Sequence, residues 1–144
     1  DPALGYRIDY KGRSISISGD TVYDKNLVTN SKNVDVLFHE SMSLELLDLI
    51  NKQAKKTNNY LMDKITIDIL DYHTPILDVV KAANEADVKH LVFYHHLPAP
   101  RNQLMEDVMY RGVDEIRDGW TASHDGTMVI LPIDSTEIIV SSVE

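Results

Sequence analysis

Two short apolar runs, Val34-Asp35-Val36-Leu37-Phe38 and Leu91-Val92-Phe93-Tyr94, constrain the fold of this chain more than any other feature. Each is the kind of run found in a strand covered on both faces. Each also ends in chemistry, since His39-Glu40 follows the first and His95-His96 the second. Upstream, an alternating segment stops at Ser16-Ile17-Ser18-Gly19-Asp20-Thr21, where glycine bends the backbone and delivers a carboxylate at a sheet edge. His73 supplies a further station. Four polar stations at element ends can converge on one site.

The intervening segments fit an α/β (α+β) chain. Tyr6, Ile8 and Tyr10 alternate with polar residues, Lys11-Gly12 turns the chain, and Ile15 and Ile17 resume the alternation, which predicts a hairpin. A short helix is expected around Asn26 to Thr29. Leu44, Leu47, Ile50 and Ala54 predict a helix from about Leu44 to Lys55. Leu61 to Leu70 fits both periods, and helix or irregular structure is favoured. Thr74-Pro75 signals a helix start, with threonine as cap and proline at the first turn, and Ile76, Val79, Val80 and Ala83 should face inward up to about Ala86. Leu104, Met105, Val108, Met109, Val113 and Ile116 predict a helix that passes through Gly112. The tail from Trp120 to Val143 reads as two or three strands around Asp125-Gly126.

A length of 144 residues with 43% hydrophobic content fits one domain, 1–144, with a real core. The formal charge of -9 and scattered basic residues argue against a dedicated nucleic-acid surface, although an acidic chain can act on RNA that another segment grips. With no cysteine, any metal would need histidine and carboxylate ligands. No apolar run approaches the roughly 20 residues of a membrane span, and the first residues do not resemble a signal peptide. A soluble chain, cytoplasmic or periplasmic, is expected, and the start at Asp1 reads as a cut in a longer polypeptide.

Each station also has a bland reading. Gly19-Asp20 alone is an ordinary turn, and His39-Glu40 alone is a solvent-exposed strand-end pair. In the functional reading, Asp20 offers carboxylate oxygens to metal, and His95 is the better-placed imidazole. His96, its neighbour in an extended segment, should point the other way and serve packing. Glu40 would orient His73 and raise its proton affinity, a role that Asp71 could share. His90 is expected to be solvated, and His124 to be structural before its Asp-Gly turn.

The ordered set Ser18-Gly19-Asp20-Thr21, His39-Glu40-Ser41, Asp71-Tyr72-His73-Thr74-Pro75 with Ala82-Ala83-Asn84-Glu85-Ala86, Leu91 to His95, and His124-Asp125-Gly126 resembles the carboxyl-terminal half of a metallo-beta-lactamase-fold hydrolase. It is most similar to the tRNase Z and arylsulfatase-like branch. The resemblance spans nearly the whole chain. It implies the second half of a four-layer αββα sandwich, a mixed sheet with helices on one face. It further implies that Asp20 bridges two zinc ions, that His95 is the terminal histidine ligand of one, and that Glu40 and His73 form a proton-shuttling pair. The activity implied is cleavage of a phosphodiester, sulfate or related ester by metal-bound hydroxide.

The family's His-x-His-x-Asp-His motif has no counterpart here, and neither does its next histidine ligand. A catalytic zinc usually takes three protein ligands plus water. Weak metal binding and no enzyme-like hydrolysis are therefore expected of these residues alone. An uncovered sheet would favour the missing amino-terminal half or a second copy as partner. The acidic charge favours a small-molecule ester over RNA. Two other readings remain: a non-catalytic half-domain that dimerises through its exposed sheet, and an unrelated α/β binding domain whose stations never meet.

Overall fold

A computed structural model describes residues 4–143. Strands β1 (Tyr6–Tyr10) and β2 (Arg13–Ile17) form an antiparallel hairpin. Its two-residue turn places Lys11 and Gly12 at φ 47° and 76°, the left-handed pair whose twist matches the flanking strands. Strands β3 (Val36–Met42), β4 (His90–Leu97) and β5 (Trp120–Ala122) join in parallel to give a mixed sheet of order β1-β2-β3-β4-β5. Strands β6 (Thr127–Ile130) and β7 (Ile139–Ser142) pair separately.

Helices α1 (Lys25–Asn30), α2 (Leu44–Lys56), α3 (Tyr60–Asp68), α4 (Ile76–Glu85) and α5 (Gln103–Met109) fill the connections. Four of them start at a polar side chain that accepts from the first turn: Asp24, Ser43, Asn59 and Asn102. The core lies on one face of the sheet, where Leu37, Leu91 and Phe93 meet Val79, Val80 and Ala83 of α4, and Met109, Tyr110 and Val113. Burying each large side chain there contributes about 1.5–3 kcal/mol. Among the described residues no helix is long and apolar enough to cross a membrane.

Several expectations need correction. Both central strands run further than their apolar cores, because parallel pairing continues through His39-Glu40-Ser41-Met42 and, past an unpaired His95, through His96-Leu97. The stations His39-Glu40 and His95-His96 are therefore within strands, not beyond them, whereas Asp20 and His73 lie in connections. The ambiguous segment is helix α3 followed by a 3-10 turn at Ile69–Asp71. Pro75 occupies the capping position of α4 with no side-chain cap, since the Thr74 hydroxyl donates instead to the Thr21 carbonyl at 2.5 Å. The helix expected through Gly112 ends at Met109, and Gly112 takes φ 86°, which no helix can contain.

The face of the sheet opposite the helices is not bare at its centre, where Val36 and Val92 are 0% exposed. Arg13, on that face of β2, donates to the carbonyls of Pro132 and Glu137 at 2.8 and 3.0 Å and so holds the carboxyl-terminal segment against it. Exposed apolar side chains lie on the β1 edge, at Tyr6, Ile8 and Tyr10, and on α3, at Tyr60, Leu61, Ile65 and Ile67.

Candidate active site

Asp20 follows the end of β2 because Gly19 turns the chain. Gly19 has φ 64°, and a Cβ there would lie 2.5 Å from the Leu4 carbonyl oxygen, so only glycine fits. Ser18 ties this turn to the next strand: its hydroxyl donates to the Gly19 carbonyl at 2.6 Å and accepts from the Glu40 N–H at 3.1 Å. Asp20 thus leaves a turn that is anchored to β3.

His95 reaches Asp20 through an irregularity in β4. Pairing with β3 jumps from Glu40↔Tyr94 to Ser41↔His96, and His95 is the residue left over, with φ 45°. An extra residue bends a strand locally and re-aims its side chain. The His95 Nδ1 lies 2.9 Å from Asp20 Oδ1, with both side chains partly exposed. His73 closes the group, its ring centroid 5.4 Å from that of His95 and edge-on to it. One ligand atom from each of Asp20, His73 and His95 lies within 4.8 Å of the others.

Glu40 stands behind His73. Both are buried, Glu40 completely. The Thr74 N–H donates to Glu40 Oε1 at 2.6 Å, while Glu40 Oε2 and His73 Nδ1 have no hydrogen-bond partner and face each other at 3.4 Å. Burial pushes the Glu40 carboxyl up to about 7, with the Asp20 charge adding to it and the Thr74 N–H working against it. Burial also lowers His73, against the pull of Asp20. With His73 Nδ1 facing Glu40, Nε2 is the nitrogen left to act on a third party.

The remaining stations go elsewhere. His39 is not exposed at a strand end but fully buried on the helix face, where its Nδ1–H donates to the Glu40 carbonyl at 2.8 Å and burial pulls it down to about 4. His96 points away from Asp20. Asp71 is exposed, and Glu40 is the carboxylate beside His73. His90, expected in solvent, is half-buried, with Nε2 2.9 Å from the Thr121 hydroxyl. His124 is exposed near Glu106, at 3.5 Å. Sequence reasoning missed the bracing done by Ser18 and Thr74, although both stand beside a station. A cavity of about 580 Å³ lies between the hairpin and α1, lined by Arg7, Ser16, Thr21 and Ser31 among others, and includes none of the cluster.

A carboxylate and two imidazoles are the donor types of a zinc-like site with an open position. Asp20 and His95, 2.9 Å apart, could share one ion, with His73 within 4.8 Å of both, whereas two ions would need more donors than this group holds.

No family model matches the chain. It is 32% identical over 98 residues to ribonuclease Z of Mycobacterium tuberculosis, covering 68% of this chain and 32% of that protein. Identity to ribonuclease Z of Mycobacterium avium is 30% over 98 residues, covering 68% and 31%. The metallo-beta-lactamase fold protein YhfI of Bacillus subtilis superposes with a TM-score of 0.53 at 16% identity, over 79% of this chain and 38% of that one. The chain has the metallo-beta-lactamase fold, and its sequence is similar to the ribonuclease Z branch of that fold. It spans about a third of the length of the ribonuclease Z relatives named here. The mixed sheet carries α4 and α5 on its core face.

Proposed function

We propose that these residues form one wall of the active site of a metal-dependent phosphodiesterase, the carboxyl-terminal half of a metallo-beta-lactamase-like domain. Asp20 and His95 hold metal, and Glu40 with His73 handles the proton given to the leaving oxygen. The observation that carries this reading is the meeting of Asp20, His73 and His95 within 4.8 Å, with buried Glu40 behind His73. A bound ion, zinc by its donor types, would polarise the ester and activate water. Glu40 stands 3.4 Å from His73 Nδ1, which leaves Nε2 as the nitrogen that can donate to an alkoxide as it leaves. The Thr74 N–H holds Glu40 in place for this task.

The ribonuclease Z relatives favour an RNA phosphodiester over the small-molecule or sulfate ester that the charge suggested. An acidic chain with this site needs another segment to grip RNA. The donor count supports weak metal binding and no enzyme-like turnover by these 144 residues alone. The test is zinc titration of the protein and of Asp20→Ala, with hydrolysis of an RNA oligonucleotide and of an aryl sulfate measured in parallel. Weak binding lost in Asp20→Ala supports the site. Equal zinc affinity in both removes it, and turnover of the sulfate ester alone overturns the substrate class.

A second reading, association of two copies through the sheet, draws on the β1 edge, every residue of which is exposed. Sedimentation of Ile8→Lys against the parent protein tests it, because a monomer in both cases removes the dimer.

A further inference from the structure

We propose that His96, held by Tyr110, Ser41 and Ser123, is the positioning residue that keeps His95 bulged out of β4 and turned toward Asp20. The part of this inference that concerns metal rests on the site proposed above. A left-handed backbone at a non-glycine residue costs about 1–2 kcal/mol, so His95 at φ 45° persists only if its surroundings hold it there.

The alternative is a regular strand. If β4 lost its extra residue, His95 would take the place opposite Ser41 and its ring would move to the other face of the sheet, away from Asp20. His96 prevents this. Its Nε2–H donates to the Ser123 carbonyl at 2.7 Å, and its Nδ1 accepts from the Tyr110 hydroxyl at 2.6 Å, with the Ser41 hydroxyl 3.0 Å from the same nitrogen. These partners come from β3, from the residue that closes α5 and from the residue after β5, so three separate elements fix one ring. The Tyr110 ring is itself wedged against Phe93 and Trp120 at 5.0 and 5.2 Å. With both nitrogens engaged on that side, His96 has none to offer a metal beside Asp20, and the adjacent histidines divide into a projecting ring and a pin.

Tyr110→Phe removes one hydroxyl and keeps the ring, Ser41→Ala removes the other, and Val113→Ala is a control in the same core. Three readouts are compared: the proton NOE between the His73 and His95 rings without metal, zinc affinity, and melting temperature. We expect Tyr110→Phe and Ser41→Ala to weaken the NOE severalfold and zinc affinity about tenfold, and Val113→Ala to lower only the melting temperature. A folded Tyr110→Phe with the NOE of the parent protein overturns the proposal, as does the same loss in Val113→Ala. Should Tyr110→Phe not fold, Ser41→Ala decides by the same criteria. Should Asp20→Ala leave zinc binding unchanged, the metal site falls, and the NOE still decides the positioning role.

Discussion

Replacing Glu40 by glutamine separates the cost of the buried acid from its use. Raising a carboxyl from its ordinary 4.5 to about 7 corresponds to roughly 3 kcal/mol, at 1.36 kcal/mol for each tenfold change in proton affinity. Because the folded value is the higher one, the fold keeps the proton between pH 4.5 and 7 where the unfolded chain has released it. Stability is thus greatest below pH 4.5, falls as pH rises to about 7, and stays at the lower level above it. Glutamine cannot ionise. Its carbonyl still accepts from the Thr74 N–H, and its amide can donate to His73 Nδ1, so the packing is retained. Urea unfolding followed by Trp120 fluorescence at pH 4, 5.5 and 8, with chelator present, measures the difference. Glu40→Gln should match the parent protein at pH 4 and exceed it by about 3 kcal/mol at pH 8. A difference that does not change with pH, or a parent protein that is the more stable at pH 8, would refute the buried-acid argument.

Asp35 gives the opposite pH dependence. Burial opposes its ionisation, but hydrogen bonds from Arg13, Lys89 and the Ser14 N–H hold its carboxyl at about 2, so its stabilisation is present above pH 4 and lost toward pH 2. Asp35→Asn should cost about 3 kcal/mol at pH 7, chiefly by leaving Arg13 buried and unpaired, and the cost should vanish near pH 2 in thermal melts. Gly19→Ala should destabilise by about 2 kcal/mol or more and weaken zinc binding, because the new methyl meets the Leu4 carbonyl and displaces Asp20. His73→Ala should leave zinc affinity within severalfold of the parent while lowering any RNA hydrolysis of the complete assembly by about 10²–10⁴.

Much of the site was legible in the chain, and for identifiable reasons. The apolar runs at Val36 and Leu91 mark central strands because strands covered on both faces must be apolar throughout, and a glycine before Asp20 marks a turn that no other residue can make. Strand ends were less legible. His39, Glu40 and His96 break the apolar pattern, yet the ladder continues through all three and skips only His95, since backbone pairing does not depend on side-chain polarity. Gly112 misled in the other direction: the apolar spacing to Ile116 survives, but its backbone is left-handed and the helix stops at Met109.

The sequence alone determined which residue types were available: a carboxylate after a glycine turn and imidazoles near the ends of buried runs. Only the tertiary structure decided how they face each other. Glu40 holds its proton more tightly because the fold buries it completely, and His95 differs from His96 because one residue of β4 has no partner in β3. Both are properties of neighbours brought together from distant parts of the chain. Burial and register belong to the assembled sheet, and no local pattern of residues encodes them.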